Sequence, residues 1–382
     1  MNHYPKIISL PHTPARNKIL LTGRPPMPEK YVAMVADAAR TGWGEKAYDY
    51  IQQFEQEFAQ YVGAKHALAT SSCTGALHLA LLALGITEGD EVIVPEITWV
   101  ASADTVKYCG AEPIMADISE DTWTIDPDSI IEKITPKTKA IVIVDNYGNV
   151  CDMAAIREIA RKHNLYILED AATGLGASYN GTKAGILGDI GTFSFEGSKI
   201  ITTGQGGMLV TNNTSFYETA KKFGNHNMNT NEPYIFDGVG YKYKMPNLVA
   251  PLGLAQLRDI DSLVAKKRQI FDWYNNQLRH IEGIQLNVEK PGTRNAFWLT
   301  SIVLNKNFGL RRDAIISALH SKNIMIRPMH YPISSMQGYI PQNNPTARKV
   351  SANGINLPSG FDMTEDSVGY VCEKLLEVIQ RK

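Results

Sequence analysis

Apolar residues recur along this chain with two different periods. Between residues 28 and 40, and again between 49 and 62, the spacing is helical: Tyr50, Ile51, Phe54, Phe58 and Tyr61 return every three or four residues, which puts them on one stripe of a helix. Thr41-Gly-Trp-Gly44 separates the two segments. Beyond residue 90, short apolar runs alternate with helical stretches. The pattern predicts strands at 91–95, 113–117, 140–145, 166–169, 191–195 and 207–211, and helices at 75–84, 100–108, 127–133, 153–163 and 214–222. Such alternation is the signature of a mostly parallel sheet with helices on its faces. Asp126-Pro127 is a helix entry, because aspartate accepts from the orphan N–H groups and proline suits the first turn.

The two ends of the chain read differently. Residues 1–27 hold Pro5, Pro11, Pro14, Pro25 and Pro26 without periodicity, which predicts an extended arm. A long helical pattern over 254–280 (Leu254, Leu257, Ile260, Leu263, Val264) leads into a last third that mixes strands at 297–304 and 324–328 with helices at 312–320 and 365–380. The expectation is an α/β protein in three parts. They are an arm over 1–27, a large domain over 28–255 with a mostly parallel sheet flanked by helices, and a linker helix with a smaller α+β domain over 256–382. A chain of 382 residues is long enough for that many cores.

Composition narrows the function classes. The chain is 44% hydrophobic and 20% charged, and its 38 Lys plus Arg balance 39 Asp plus Glu. Without clustered excess charge there is no support for a nucleic-acid or polybasic membrane surface. Cys73, Cys109, Cys151 and Cys372 are far apart and form no C-x-x-C pair, so free thiols are expected rather than disulfides or a metal site. The N-terminus lacks an uninterrupted apolar segment, and no stretch reaches the roughly 18 apolar residues of a membrane span. The expected location is cytoplasmic.

The chemistry gathers around residues 191–210. A strand-like run ends at Glu196-Gly197 and delivers Lys199, after which Gly204, Gly206 and Gly207 precede a second apolar run. A lysine held in a cleft there has a lowered pKa, and its neutral amine forms a Schiff base with an aldehyde. Most lysines are solvated, so its company decides. In open α/β sheets ligands collect beyond the carboxyl ends of the strands, and three more features fall there. Thr70-Ser-Ser-Cys-Thr-Gly-Ala runs into an apolar helix, whose first N–H groups near Thr74 suit a phosphate as well as a simple helix cap. Trp99 follows a strand, where it can stack on a flat ring or pack a core. Asp170 ends the run Tyr-Ile-Leu-Glu-Asp, where it can bind a protonated pyridine nitrogen or cap a helix. Ser194 is a further candidate phosphate ligand. Singly these are weak, but together they are the parts that pyridoxal phosphate needs.

With these residues in view, the chain resembles the DegT/DnrJ/EryC1/StrS family of sugar aminotransferases, within the fold-type I pyridoxal-phosphate enzymes. The matching stretches include Gly-Ala-Leu-His-Leu-Ala-Leu (75–81), Gly-Asp-Glu-Val-Ile-Val-Pro (89–95), Glu-Asp-Ala-Ala (169–172), Gly-Asp-Ile-Gly-Thr-Phe-Ser-Phe (188–195) and Ile-Thr-Thr-Gly-Gln-Gly-Gly-Met (201–208). Gly-Tyr-Lys-Tyr-Lys-Met-Pro-Asn-Leu (240–248), Gly-Leu-Ala-Gln-Leu (253–257), Arg-Pro-Met-His-Tyr-Pro (327–332) and Asn-Leu-Pro-Ser-Gly (356–360) carry it nearly to the C-terminus.

The resemblance implies that Lys199 is the Schiff-base lysine, Asp170 the pyridine-nitrogen acid and Trp99 the ring-stacking residue. By the same resemblance Cys73, Thr74 and Ser194 lie at the cofactor, the last two as phosphate ligands, and Lys242 reaches a phosphate across a homodimer interface. Asn225, His226, His330 and Tyr331 stand in regions that line the substrate pocket of relatives, where each can equally be a surface or interface residue, and Arg327 is a candidate to bind a carboxylate or a pyrophosphate or to pair with a structural acid. Thr173 stands where relatives often carry a longer polar side chain near the cofactor's phenolic oxygen. Cys73, Gln205 and Asn146 replace a common glycine, glutamate and histidine. The implied reaction carries an amino group from glutamate, through pyridoxamine phosphate, to a keto-sugar, with a nucleotide-linked 4-keto-6-deoxyhexose as the leading candidate. Two alternatives stay open: a cofactor-dependent sugar dehydratase, in which histidine replaces the lysine, and a non-catalytic regulatory protein of the same fold. The presence of Lys199 and Asp170 argues against both.

Overall fold

A computed structural model of the chain describes residues 18–23, 25–229, 231, 232, 234–304, 308 and 311–379. The arm expected over 1–27 lies mostly outside the described residues. Helices α1 (Glu29–Thr41) and α2 (Asp49–Val62) come first, followed by β1 (His66–Thr70), α3 (Cys73–Ala83), β2 (Glu91–Pro95), α4 (Ala101–Tyr108), β3 (Glu112–Ala116), α5 (Pro127–Lys133), β4 (Thr138–Val144), α6 (Met153–His163) and β5 (Tyr166–Asp170). A short hairpin of β6 (Ser178–Tyr179) and β7 (Thr182–Lys183) precedes β8 (Ile190–Ser194), β9 (Gly207–Thr211) and α7 (Thr214–Phe223). The chain continues through α8 (Ala250–Leu257), α9 (Ile260–Leu278), β10 (Ile284–Leu286), β11 (Thr293–Arg294), β12 (Ser301–Leu304), α10 (Arg312–His320), β13 (Arg327–Pro328), α11 (Pro345–Asn353), β14 (Gly354–Asn356) and α12 (Glu365–Ile379).

Seven strands form the central sheet in the order β1-β9-β8-β5-β4-β2-β3. Strand β9 runs against both of its neighbours, and the other pairs are parallel. The runs Val-Ile-Val (92–94) and Ala-Ile-Val-Ile-Val (140–144) are apolar throughout because both faces of the sheet are covered. Ile141 and Ile143 of β4 pack in one core with Phe54 and Phe58 of α2, Ile156 of α6 and Leu254 of α8. Ala140, Val142 and Val144 face the other core, with Leu77 and Leu81 of α3, Val106 of α4 and Ala220 of α7. The result is a helix–sheet–helix sandwich with every carboxyl end of a parallel strand at one rim.

Strand β1 was not expected. Its Ala67-Leu68-Ala69 has little intrinsic strand preference, and it is extended because it pairs along its whole length with β9. The single helix expected over 254–280 is two. The break falls at Arg258-Asp259, with neither proline nor glycine there, and contacts to the first helices fix it. Arg258 pairs with Glu57 at 2.6 Å, and Asp259 accepts from the Tyr31 hydroxyl at 2.6 Å.

A second sheet, β10-β12-β14-β13, packs on α9, α10 and α12 through Ile302, Tyr274, Leu319 and Leu375. The strand expected at 297–304 shortens to Ser301–Leu304, because Phe297 takes φ 48° and turns the chain. The strand expected at 324–328 shortens to Arg327–Pro328, while Ile324 instead bridges to Leu20. Among the described residues no helix is long and apolar enough to cross a membrane.

Candidate active site

The carboxyl ends of β1, β2, β4, β5 and β8 bring the candidate residues to one rim. Asp170 is the last residue of β5 and is buried. Ser102, in the first turn of α4, donates to its Oδ2 at 2.7 Å, and the Ala172 N–H donates to its Oδ1 at 3.1 Å. Burial pushes the Asp170 carboxyl upward, against these two donors and the charge of Lys199. A carboxylate so placed is ready for a cationic partner.

Lys199 sits on the turn between β8 and β9. Burial lowers its pKa, opposed by the charges of neighbouring groups that include Asp170 and Glu196. Its Nζ lies 4.3 Å from the centre of the Trp298 ring. Cys73, at the start of α3, places its Sγ 3.8 Å from Thr192 Oγ1. Burial drives that thiol upward, so it stays neutral. Thr74 occupies the first turn of α3, where Ser72 caps the helix by accepting from the Gly75 N–H at 3.0 Å. Ser194 closes β8, paired in register with Gly207.

Trp99 is 66% exposed in the loop after β2. Its ring stands edge-on to His330, with centroids 6.2 Å apart. The His330 ring in turn stacks on Tyr147 at 5.6 Å, and the His330 backbone N–H donates to the Tyr147 hydroxyl at 3.2 Å. Burial and then the nearby Lys199 charge push the His330 imidazole down to about 4. Thr173 turns its hydroxyl to the Asp145 carbonyl at 2.5 Å.

The remaining candidates have their contacts elsewhere. Lys242 is exposed and bridges to Asn225. His226 is exposed, with φ 63°, and its ring meets Phe236 edge-on. Arg327 lies exposed on β13 opposite Asn356. Tyr331 accepts from Arg312 at 3.0 Å.

Four residues of the site went unread in the sequence. Ser102 and Trp298 stand in segments with no motif of their own. Asp145 and Glu169 form a buried carboxyl pair behind Asp170. Glu169 accepts from the Gly185 and Leu187 N–H groups at 2.6 and 2.8 Å. Asp145 receives no N–H or hydroxyl donor, and burial together with the Glu169 charge raises its carboxyl far enough to hold a proton against Glu169. Among the described residues no cluster of His, Cys, Asp and Glu is placed to hold a metal ion.

The donor set fits pyridoxal phosphate. A buried carboxylate suits its ring nitrogen, a capped helix N-terminus with Ser194 suits its phosphate, and an amine of lowered pKa suits its aldehyde. Residues 26–376 match the model of the DegT/DnrJ/EryC1/StrS aminotransferase family. The chain is 39% identical over 361 residues to GDP-perosamine synthase of Escherichia coli O157:H7, covering 94% of this chain and 98% of that one. It is 40% identical over 352 residues to GDP-perosamine synthase of Caulobacter vibrioides, covering 90% and 94%. Among solved structures, the PMP form of Spr1654 from Streptococcus pneumoniae, a protein assigned as a sugar aminotransferase, superimposes with a TM-score of 0.88. That match has 27% identity over 95% of this chain and 98% of that one. The chain therefore belongs to the DegT/DnrJ/EryC1/StrS aminotransferase family and is a pyridoxal-phosphate-dependent sugar aminotransferase.

Proposed function

We propose that this enzyme transfers the amino group of glutamate to the keto carbon of a nucleotide-linked 4-keto-6-deoxyhexose. The observation that carries the transfer is the amine of Lys199, its pKa lowered, set beside the buried Asp170 carboxylate. The names of the Escherichia coli and Caulobacter relatives support a GDP-linked sugar.

In this reading Lys199 holds the cofactor covalently, Asp170 binds its ring nitrogen, and Trp99 covers its ring. Thr74 and Ser194 would bind the phosphate, with Lys242 of a second copy completing the cradle in a homodimer, and Cys73 would lie beside the cofactor. Thr173, whose hydroxyl donates to the Asp145 carbonyl, would stand on the side of the phenolic oxygen. Bound there, pyridoxal phosphate supplies the aldehyde that takes up the amino group and the ring that draws off electrons when a C–H bond breaks. Lys199 Nζ, once free, takes the proton from the donor's α-carbon and returns it on the other side of the transfer. Asn225, His226, Arg327, His330 and Tyr331 are assigned to the sugar nucleotide. The small sheet and its helices, from 256 onward, form the second domain of the proposed division.

The test is spectroscopic. Glutamate should bleach the cofactor band of the purified enzyme, and a GDP-linked 4-keto-6-deoxyhexose should restore it better than the TDP-linked sugar or a free keto-sugar acid. Lys199→Ala should not turn over. Restoration by none of these substrates, or turnover by the alanine variant, overturns the reading.

A further inference from the structure

We propose that Trp298 is the positioning residue for Lys199: its indole N–H anchors the turn that carries the lysine, and its ring face is the resting place of the ammonium whenever the amine is free. This rests on Lys199 acting as a free amine within the proposed transfer.

Trp298 comes from a distant part of the chain, on the segment that leads into β12, yet it touches the Lys199 turn twice. Its Nε1–H donates to the Ser198 carbonyl at 2.9 Å. Its ring lies under the Lys199 Nζ at 4.3 Å from the centroid, within the roughly 6 Å over which a cation is attracted to an aromatic face. One side chain thus fixes both the backbone beside the lysine and the position of its head.

The segment is braced so that the ring holds its place. Trp298 is 8% exposed. The Asn295 side chain accepts from the Phe297 N–H at 2.7 Å, and Arg268 donates to the Asn295 carbonyl at 2.5 Å. Phe297 stacks on Phe271 of α9 at 3.7 Å. Gly148 closes against the same segment: a Cβ there would lie 2.8 Å from the backbone nitrogens of Phe297 and Trp298. The Ala296 N–H donates to the Gly148 carbonyl at 2.9 Å.

The consequence concerns the proton. Lys199 must be neutral to accept a proton and then hold it as an ammonium before giving it up. Burial works against that ammonium, as does any positive charge on His330, while Asp170 and Glu196 favour it. Cys73 faces the same space as a neutral thiol. The Trp298 face favours the ammonium without being able to take its proton, so it steadies the charged form and leaves the proton free to return.

The experiment uses the whole chain stripped of cofactor, with Lys199 acetylated by limiting acetic anhydride across a pH series and the labelled peptide quantified by mass spectrometry. Trp298→Leu keeps the surroundings apolar but removes the face. Its labelling midpoint should fall by about 0.5 to 1 pH unit, which gives three- to tenfold faster labelling below the midpoint. An unchanged or raised midpoint overturns the inference. Trp298→Phe keeps a face and loses the N–H. Its midpoint should stay near wild type while the single-turnover rate with glutamate drops about tenfold and the glutamate KM holds. A wild-type rate in that variant also overturns it, including where the leucine variant fails to fold. Because the labelling needs neither cofactor nor sugar, its failure is distinct from failure of the proposed substrate.

Discussion

The Ser102 hydroxyl and the Asp170 carboxylate are joined by a buried 2.7 Å hydrogen bond between the first turn of α4 and the end of β5. Burial raises the Asp170 carboxyl, and Ser102 is the foremost group that draws it back. A hydrogen bond to a charged group contributes about 1.5–3 kcal/mol. Ser102→Ala should therefore lower kcat/KM about 10- to 100-fold and loosen the cofactor, and Ser102→Thr should recover part of both. Steady-state kinetics and equilibrium dialysis check this. An alanine variant within twofold of wild type would sink it.

His330 should be an uncharged ring throughout the working pH range, because burial and the Lys199 charge push it down to about 4. The sign for stability follows. Between about pH 4 and the ordinary histidine value near 6.5, the unfolded chain binds this proton and the folded chain does not, so stability rises with pH across that window. Imidazole NMR signals, assigned with His330→Asn, should show no titration above pH 5. A midpoint near 6.5 would contradict the stacked, dry environment against Tyr147.

The Asp145–Glu169 pair has the opposite sign. Burial and mutual repulsion raise Asp145 well above an ordinary carboxyl, so the folded chain holds a proton that the unfolded chain releases above about pH 4. The pair's contribution is complete below that value and is lost as pH rises towards the folded midpoint, by up to about 1.4 kcal/mol per pH unit. Asp145→Asn keeps a donor toward Glu169 without the titration. Its melting temperature should fall less than that of wild type as pH is raised from about 4, and equal pH slopes for the two proteins would refute the shared proton.

Gly207 permits a close approach that no other residue allows. A Cβ there would lie 2.6 Å from the Cys73 nitrogen and the Ser72 carbonyl carbon, so Gly207→Ala must push the start of α3 away from β9. The expected cost is about 1–3 kcal/mol of stability with a larger loss of cofactor affinity, measured by thermal melting and cofactor titration. Gly197→Ala is the control, since a Cβ there meets nothing within 4 Å.

Most of the central sheet was legible because its strands are buried on both faces and therefore read as unbroken apolar runs. The helices between them carry clear caps and periods, such as Asp126-Pro127 before α5. Strand β1 was not legible, since alanines take their extended form from β9 rather than from themselves. The α8–α9 break was hidden for a similar reason: the helical pattern runs on through Arg258-Asp259, and ionic contacts to α1 and α2 make the bend.

For the site, the sequence by itself determined Lys199, Asp170, Thr74 and Ser194 as candidates, because each stands beside a strand end or helix start where local chain chemistry already suits a ligand. Tertiary structure alone decided what surrounds them. Ser102 reaches Asp170 from 68 residues away and Trp298 reaches Ser198 from 100 residues away, and no periodicity or motif links positions that only packing brings together. Tertiary structure also gave His330 its neutral ring and Asp145 its retained proton, because both depend on the desolvation and neighbouring charges of the folded chain.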